Sequence, residues 1–221
     1  MNIKLKDMDA VKFNGIDIGA VKFNGEYVWR KGSVVVLRHN AGTFSAFANG
    51  AGIKWRYKDN EVMTKSCNFK IDESDNNVYL LFDKELSSFT CYFDNNLLLD
   101  LSDLQGKITN TLNLSGCSNI TGSLSDLQGK ITDTLNLANC SNITGIYYGT
   151  SYPRIVNLSN TGISPTDMDT NLINFNNSGK KNGAFTASGM SRTSASDTAV
   201  EELTARGWKI TGLTKVERAV I

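Results

Sequence analysis

Four cysteines, a single histidine, scattered carboxylates and a recurring asparagine are the residues of this chain that could do chemistry. Cys117 and Cys140 stand 23 residues apart at the same place in a duplicated block. They are expected to be small buried hydrophobes stacked on each other. Neighbouring rungs could also bring their sulfurs within disulfide reach, although cytosolic synthesis disfavours that bond. The other thiols are Cys67 and Cys91. No CxxC pair accompanies them and His39 is the only histidine, so zinc is not expected. His39 has no evident nucleophile or acid partner, which argues against general acid–base work. GxSxG, HExxH and P-loop sequences do not occur. Asp72, Glu73 and Asp75 cluster without EF-hand spacing and read as a solvated turn. The expectation is a non-enzyme with no catalytic residue, no bound metal and no cofactor.

Binding is the better-supported chemistry. Asn113, Asn136 and Asn157 recur at equivalent places and form a column on a polar face. That column is open to two readings: a surface for protein or glycan, or asparagines that stack on themselves and solubilise an open sheet. It contains no Trp or Tyr, so it offers no platform for stacking a sugar. Tyr147, Tyr148 and Tyr152 cluster just beyond the duplicated blocks. They either pack a corner of the fold or serve as interface anchors.

The elements that position these residues begin with the duplication itself. Leu101 to Ser123 is repeated almost letter for letter from Leu124 to Gly145. Leu112/Leu114 and Leu135/Leu137 alternate with polar residues, as in a short strand with one buried face. Leu101/Leu104 and Leu124/Leu127, three apart, indicate a helical turn on the return path. No block of this size buries its apolar side alone, but stacked copies do. The pattern LxLxxCxxI resembles a leucine-rich repeat with Cys at the turn after the strand. Weaker strand cores occur at Phe89-Thr-Cys91, Val156-Asn-Leu158, Phe185-Thr-Ala187 and Trp208-Lys-Ile210. Together they predict about six strands in one curved sheet. Ser164-Pro165 opens one helix as N-cap and first position. A second runs from Ser196/Asp197 through Leu203 to Gly207.

At the other end, Ala10-Val-Lys-Phe-Asn-Gly15 recurs as Ala20-Val-Lys-Phe-Asn-Gly25. Asn-Gly between alternating apolar runs is a strong hairpin signal. A meander of three or four strands is expected over residues 1–31, too small to be stable alone. Residues 32–86 hold five further strand candidates separated by Asn, Asp and Gly clusters, as in a sandwich or barrel. This segment resembles a PKD-type β-sandwich, with Arg56-Tyr-Lys-Asp-Asn60 where that family has a Gly-Asp-Gly loop. The expected class is α+β: a hairpin module (1–31), a sandwich-like domain (32–86), and a short leucine-rich-repeat solenoid with a C-terminal cap (87–221). Its parallel sheet would carry helical turns on the convex side.

Net charge is +1 over 221 residues, which provides no global electrostatic case for nucleic acid or an anionic membrane. Between Phe89 and Ile163, three basic residues face five acidic ones, so no phosphate-binding stripe runs along the repeats. Neither a classical signal peptide nor an apolar run long enough to span a bilayer is visible.

The units Val11-Lys-Phe-Asn-Gly-Ile-Asp-Ile and Val21-Lys-Phe-Asn-Gly-Glu-Tyr-Val-Trp29 resemble attachment modules that open many tailed-bacteriophage virion proteins. The stretch from Leu172-Ile-Asn-Phe175 to Gly207-Trp208 is similar to the closing unit of leucine-rich-repeat proteins from phages of Bacteroidota. The resemblance implies a non-enzymatic, homo-oligomeric tail- or head-associated fibre or adhesin located in the virion. Val11, Phe13, Val21, Phe23 and Trp29 would anchor it to other virion proteins, and the repeats would face a host surface protein or glycan. The alternative is a bacterial surface binding module of the same repeat type.

Overall fold

In a computed structural model of the chain, residues 33–73 and 76–217 are described in full. Residues 11–13, 16–18, 20–23 and 26–30 are described as backbone strands. The architecture is mixed α+β, mostly strand, and its sheets are open.

At the N-terminal end, β1 (Val11–Phe13) pairs with β2 (Ile16–Ile18), and β3 (Ala20–Phe23) with β4 (Glu26–Arg30). The registers Phe13↔Ile16 and Phe23↔Glu26 leave only the two-residue Asn-Gly connections that the sequence marks. The strands form two separate hairpins rather than one meander. The turn residues Asn14, Gly15, Asn24 and Gly25 lie outside the described residues, as do the side chains of Val11, Phe13, Val21, Phe23 and Trp29.

The next stretch contributes β5 (Ser33–His39), β6 (Gly42–Gly50), β7 (Lys54–Tyr57), β8 (Asn60–Val62), β9 (Ser66–Ile71), β10 (Asn77–Phe82), β11 (Leu86–Thr90) and β12 (Leu97–Leu98). Five of these make an antiparallel sheet in the order β12-β5-β10-β7-β8. Alternation in β6 and β9 sends Phe44, Ala46, Ala48, Cys67, Phe69 and Ile71 inward and leaves their neighbours outside. Trp55 of the five-stranded sheet packs between Phe44 and Phe89 of the other sheet, with ring centroids 6.1 and 6.4 Å away.

The remaining elements are β13 (Ile108–Asn113), β14 (Gly122–Ser123), β15 (Thr134–Asn136), β16 (Ile143–Thr144), β17 (Ile155–Asn157), α1 (Pro165–Asn177), β18 (Ala184–Arg192), α2 (Asp197–Ala205) and β19 (Lys209–Lys215). β11, β13, β15, β17, β18 and β19 pair in parallel, in chain order. All six strand cores read from the sequence are present. The sheet continues past them, because β11 also pairs antiparallel with β6, and β6 with β9. One eight-stranded sheet therefore runs through position 86/87, where the sequence places a domain boundary.

Parallel neighbours need crossovers, and helical turns or helices lie in four of the five here. Leu101–Leu104 and Leu124–Leu127 form single 3₁₀ turns whose leucines are buried. α1 and α2 fill the crossovers into β18 and β19. Ser164 caps α1 by accepting from Asp167 N at 3.1 Å, with Pro165 at its first position. Met168, Leu172 and Phe175 of α1 face the core. The buried Asp169 carboxylate takes Thr193 N, Thr193 Oγ1 and Ser196 Oγ at 2.6–3.2 Å, locking α1 to the entry of α2. The apolar register row Phe89, Leu112, Leu135, Val156, Phe185 and Ile210 backs the whole stack. Each fully buried member stabilises it by about 1.5–3 kcal/mol.

Candidate functional site

Among the described residues, one face of the eight-stranded sheet is left uncovered. One register row crosses every strand: Ser66, Phe47, Thr90, Asn113, Asn136, Asn157, Thr186 and Thr211. At ordinary strand spacing that row is roughly 34 Å long. The sequence reading found its middle, the asparagine column, but not its continuation into Thr90 and Phe47. That continuation depends on the antiparallel pairing of β6 with β11.

The three asparagines do local structural work. Asn113 and Asn136 each accept through Oδ1 from the backbone N–H two residues on, Ser115 N and Ala138 N, at 3.2 Å. Asn157 accepts from Ser159 N at 3.1 Å and from Ser159 Oγ at 2.7 Å. Such Asx turns release the chain from the strand. One residue later the backbone becomes left-handed, at Gly116 (φ 79°), Asn139 (φ 62°) and Asn160 (φ 52°). All three asparagine side chains are half-buried.

The first rung breaks this pattern. Thr90 stands where the later rungs have Asn, and Phe93 takes the left-handed position at φ 57°. A bulky side chain seldom adopts that conformation. Phe93 is 76 % exposed and meets Tyr92, 58 % exposed, edge to face at 5.8 Å between ring centroids. Two clefts of about 290 and 310 Å³ flank Tyr92 and share Ser45 and Tyr92 as walls. Phe47 and Thr90 line one, and Phe93, Thr43 and Asn96 the other.

Beneath this surface lies a cluster that corrects the expectation for His39. Its ring is fully buried, and Nε2 stands 3.0 Å from both carboxylate oxygens of Asp94. Nδ1 faces the Asn40 carbonyl. Both ring nitrogens are thus engaged by oxygen atoms of the surrounding turn. His39 therefore does have an acid partner, 55 residues away in sequence. The Cys91 thiol also reaches Asp94, at 3.9 Å, and Ser45 O at 3.5 Å. The carboxylate lies between imidazole and thiol, which do not form an ion pair of their own. Cys91 is pushed well above the ordinary thiol range by its hydrogen bond with Cys117, by burial and by the Asp94 charge. Such a thiol stays protonated and is a poor nucleophile. The cluster pins β5 to the 94–96 turn, helped by Asn96 N donating to Asp94 Oδ1 at 3.0 Å.

All four cysteines are free and buried. Cys117 Sγ donates to Cys91 O at 3.3 Å, and Cys140 Sγ to Leu114 O at 3.0 Å, one rung back in each case. Burial pushes the Cys67 and Cys140 thiols up to about 12. Cys117 is held lower by the hydrogen bond it shares with Cys91. Among the described residues, no group of three or more His, Cys, Asp or Glu side chains is placed to hold a metal. Asp72 is paired with Lys58 Nζ at 2.5 Å, and Asp75 lies outside the described residues.

The tyrosine cluster divides. Tyr147 is fully buried, stacked against Tyr152 and Phe175 at 5.4 and 6.0 Å, so its ring presents no surface to a ligand. Tyr152 is half-buried against Phe175 at 5.0 Å and borders a separate cleft with Asn174 and Lys180. Tyr148 is exposed. Among the described residues no helix is long and apolar enough to cross a membrane. Comparison with protein-family models, with curated proteins and with solved structures finds no match.

Proposed function

We propose that this chain is a non-enzymatic structural protein of a bacteriophage particle, a tail- or head-associated fibre or adhesin. Its N-terminal hairpins would attach it to other virion proteins, and its long sheet would face outward. Within that reading, β11 to β19 constitute a short leucine-rich-repeat solenoid. The observation that carries the proposal is the division of the eight-stranded sheet into one largely apolar face buried as core and one mostly polar face left uncovered among the described residues. A fold that spends its apolar surface on stacking and presents a periodic polar face is suited to spacing and binding. The tandem VKFNG hairpins supply the link to a particle. The buried His39–Asp94–Cys91 cluster, with its protonated thiol, favours a non-catalytic reading.

Particles purified from a host making the full chain provide the test. Immunogold labelling and mass spectrometry should find the protein on them. Full-length chain carrying Phe13→Asp and Phe23→Asp should be made in the cell and missing from particles. Recovery only on the surface of uninfected cells would replace this reading with that of a bacterial surface module.

A further inference from the structure

We infer that the clefts on either side of Tyr92 form a binding site for neutral carbohydrate, with Tyr92, Phe93 and Phe47 as its aromatic platform. The inference rests on the sheet's outward face being a binding face and is independent of the virion assignment. Three observations converge on it. The aromatic rings are exposed, and one of them, Phe93, occupies a left-handed position that later rungs give to Gly116, Asn139 and Asn160. Local rules are broken where a site gains from it. Beside the rings the clefts carry open hydroxyls: Thr43, Ser45 and Thr90 make no side-chain hydrogen bond to another described residue. They can donate and accept, as sugar hydroxyls do.

The charge is also right. Asp94 borders the cleft, but its oxygens are taken by His39, Asn96 N and Cys91, so no free carboxylate faces a ligand. Lys70, opposite Thr43 in the register, stands at the outer edge strand. Aromatic faces separated by hydroxyls, with the Asp94 carboxylate engaged by its neighbours, fit the apolar face and equatorial hydroxyls of a pyranose. A protein partner would be better served by a contiguous apolar patch. The shared wall of Ser45 and Tyr92 places two sugar subsites side by side, so a linear oligosaccharide is favoured over a monosaccharide.

Saturation-transfer NMR and calorimetry on the purified full chain would test this against cellohexaose, xylohexaose, mannohexaose, chitohexaose and, as the anionic contrast, hexagalacturonate. At least one neutral hexasaccharide should bind. Tyr92→Ala and Phe93→Asn should each weaken it about tenfold or more, as truncation of an anchor does, with unchanged circular dichroism. The inference fails if none of the neutral sugars binds or if only hexagalacturonate does. It also fails if binding survives both aromatic variants and is lost on Asn113→Ala or Asn136→Ala. That last result would keep the binding face while moving the site, and particle incorporation would judge the virion reading separately.

Discussion

Phe93 holds, at φ 57°, the left-handed turn position that Gly116 holds at φ 79° one rung further along the sheet, and its ring lies over that glycine. A Cβ at residue 116 would stand 2.6 Å from Phe93 Cδ1. The pair shows a local exchange: the glycine makes room for the aromatic residue, which sits in a conformation costing roughly 1–2 kcal/mol for a non-glycine residue. Phe93→Asn should therefore leave stability unchanged or raise it by up to about 1 kcal/mol, since Asn139 and Asn160 occupy the same turn position. Gly116→Ala should lower it by about 1–2 kcal/mol, from the positive φ and the clash together. Urea denaturation of both variants is the measurement. Strong destabilisation by Phe93→Asn would mean that the ring is part of the fold rather than of a site.

The asparagine column predicts a different pattern. Removing one Oδ1 acceptor leaves a turn N–H unpaired, so Asn113→Ala, Asn136→Ala and Asn157→Ala should each cost about 0.5–1.5 kcal/mol. Asn136→Asp keeps the acceptor and should be close to neutral. Converting all three to Asp places like charges on adjacent strands, and that variant should gain stability on adding salt. A triple Asp protein indifferent to salt would show that the side chains do not stack in one row.

How much of this could be read beforehand follows the range of the interactions. Leu112 and Leu135, the 3₁₀ turns at Leu101 and Leu124, and the Ser164 cap are written in local pattern, and the structure has them where the pattern put them. The missing parts are non-local. Phe47 joins Thr90 only because β6 turns antiparallel against β11, and no periodicity announces that register. His39 and Asp94 meet across two elements that share no motif. Phe93 did carry a signal: it stands 23 residues before Gly116 and 46 before Asn139, in the slot that the repeat gives to residues tolerant of a left-handed turn. Tyr147 was ambiguous because an aromatic residue at a shortening corner can face either way, and packing against Phe175 decides it.

His39 and Asp94 form a pair whose side chains are 0 % and 10 % exposed. Removing this fully buried ring leaves a cavity and takes a hydrogen-bond partner from Asp94, so His39→Ala should cost about 3–5 kcal/mol. Asp94→Asn should cost less, because the amide keeps an oxygen for one of the donors. Both variants should loosen the 94–96 turn, seen as faster amide exchange at Asn96, whose N–H bonds to Asp94 Oδ1. Unchanged exchange at Asn96 in His39→Ala would separate the pair from the turn.

Acid should act through Asp100. Its carboxyl lies below the ordinary 3.8, first because of hydrogen bonds from Ser102 and then because of one from Thr121. A depressed folded pKa gives stability that is present above 3.8 and lost as pH falls through the lower folded value. Asp100→Asn should flatten that loss in thermal melts taken at falling pH. An unchanged pH slope would show that the cap is already broken in the native protein.

Alkali should act through the thiols. All four are buried, so the native protein should resist dithionitrobenzoate at pH 8 and react at every cysteine once unfolded. Burial raises Cys140 and Cys67 from the ordinary 9.0 to about 12. A raised folded pKa gives stability that is complete below the unfolded value and is lost as pH climbs through the folded one. Between pH 9 and about 12, unfolding should therefore become progressively easier as the unfolded chain releases thiol protons that the folded chain retains. Tyr147, raised by burial from 10.0, adds to the same slope. The contribution of one thiol is isolated by comparing the wild-type chain with Cys140→Ala. The variant should be less stable at pH 8, because it loses packing and the bond to Leu114 O, yet its stability should fall less steeply above pH 9. Parallel pH profiles for the two proteins would contradict a thiol shielded inside the stack.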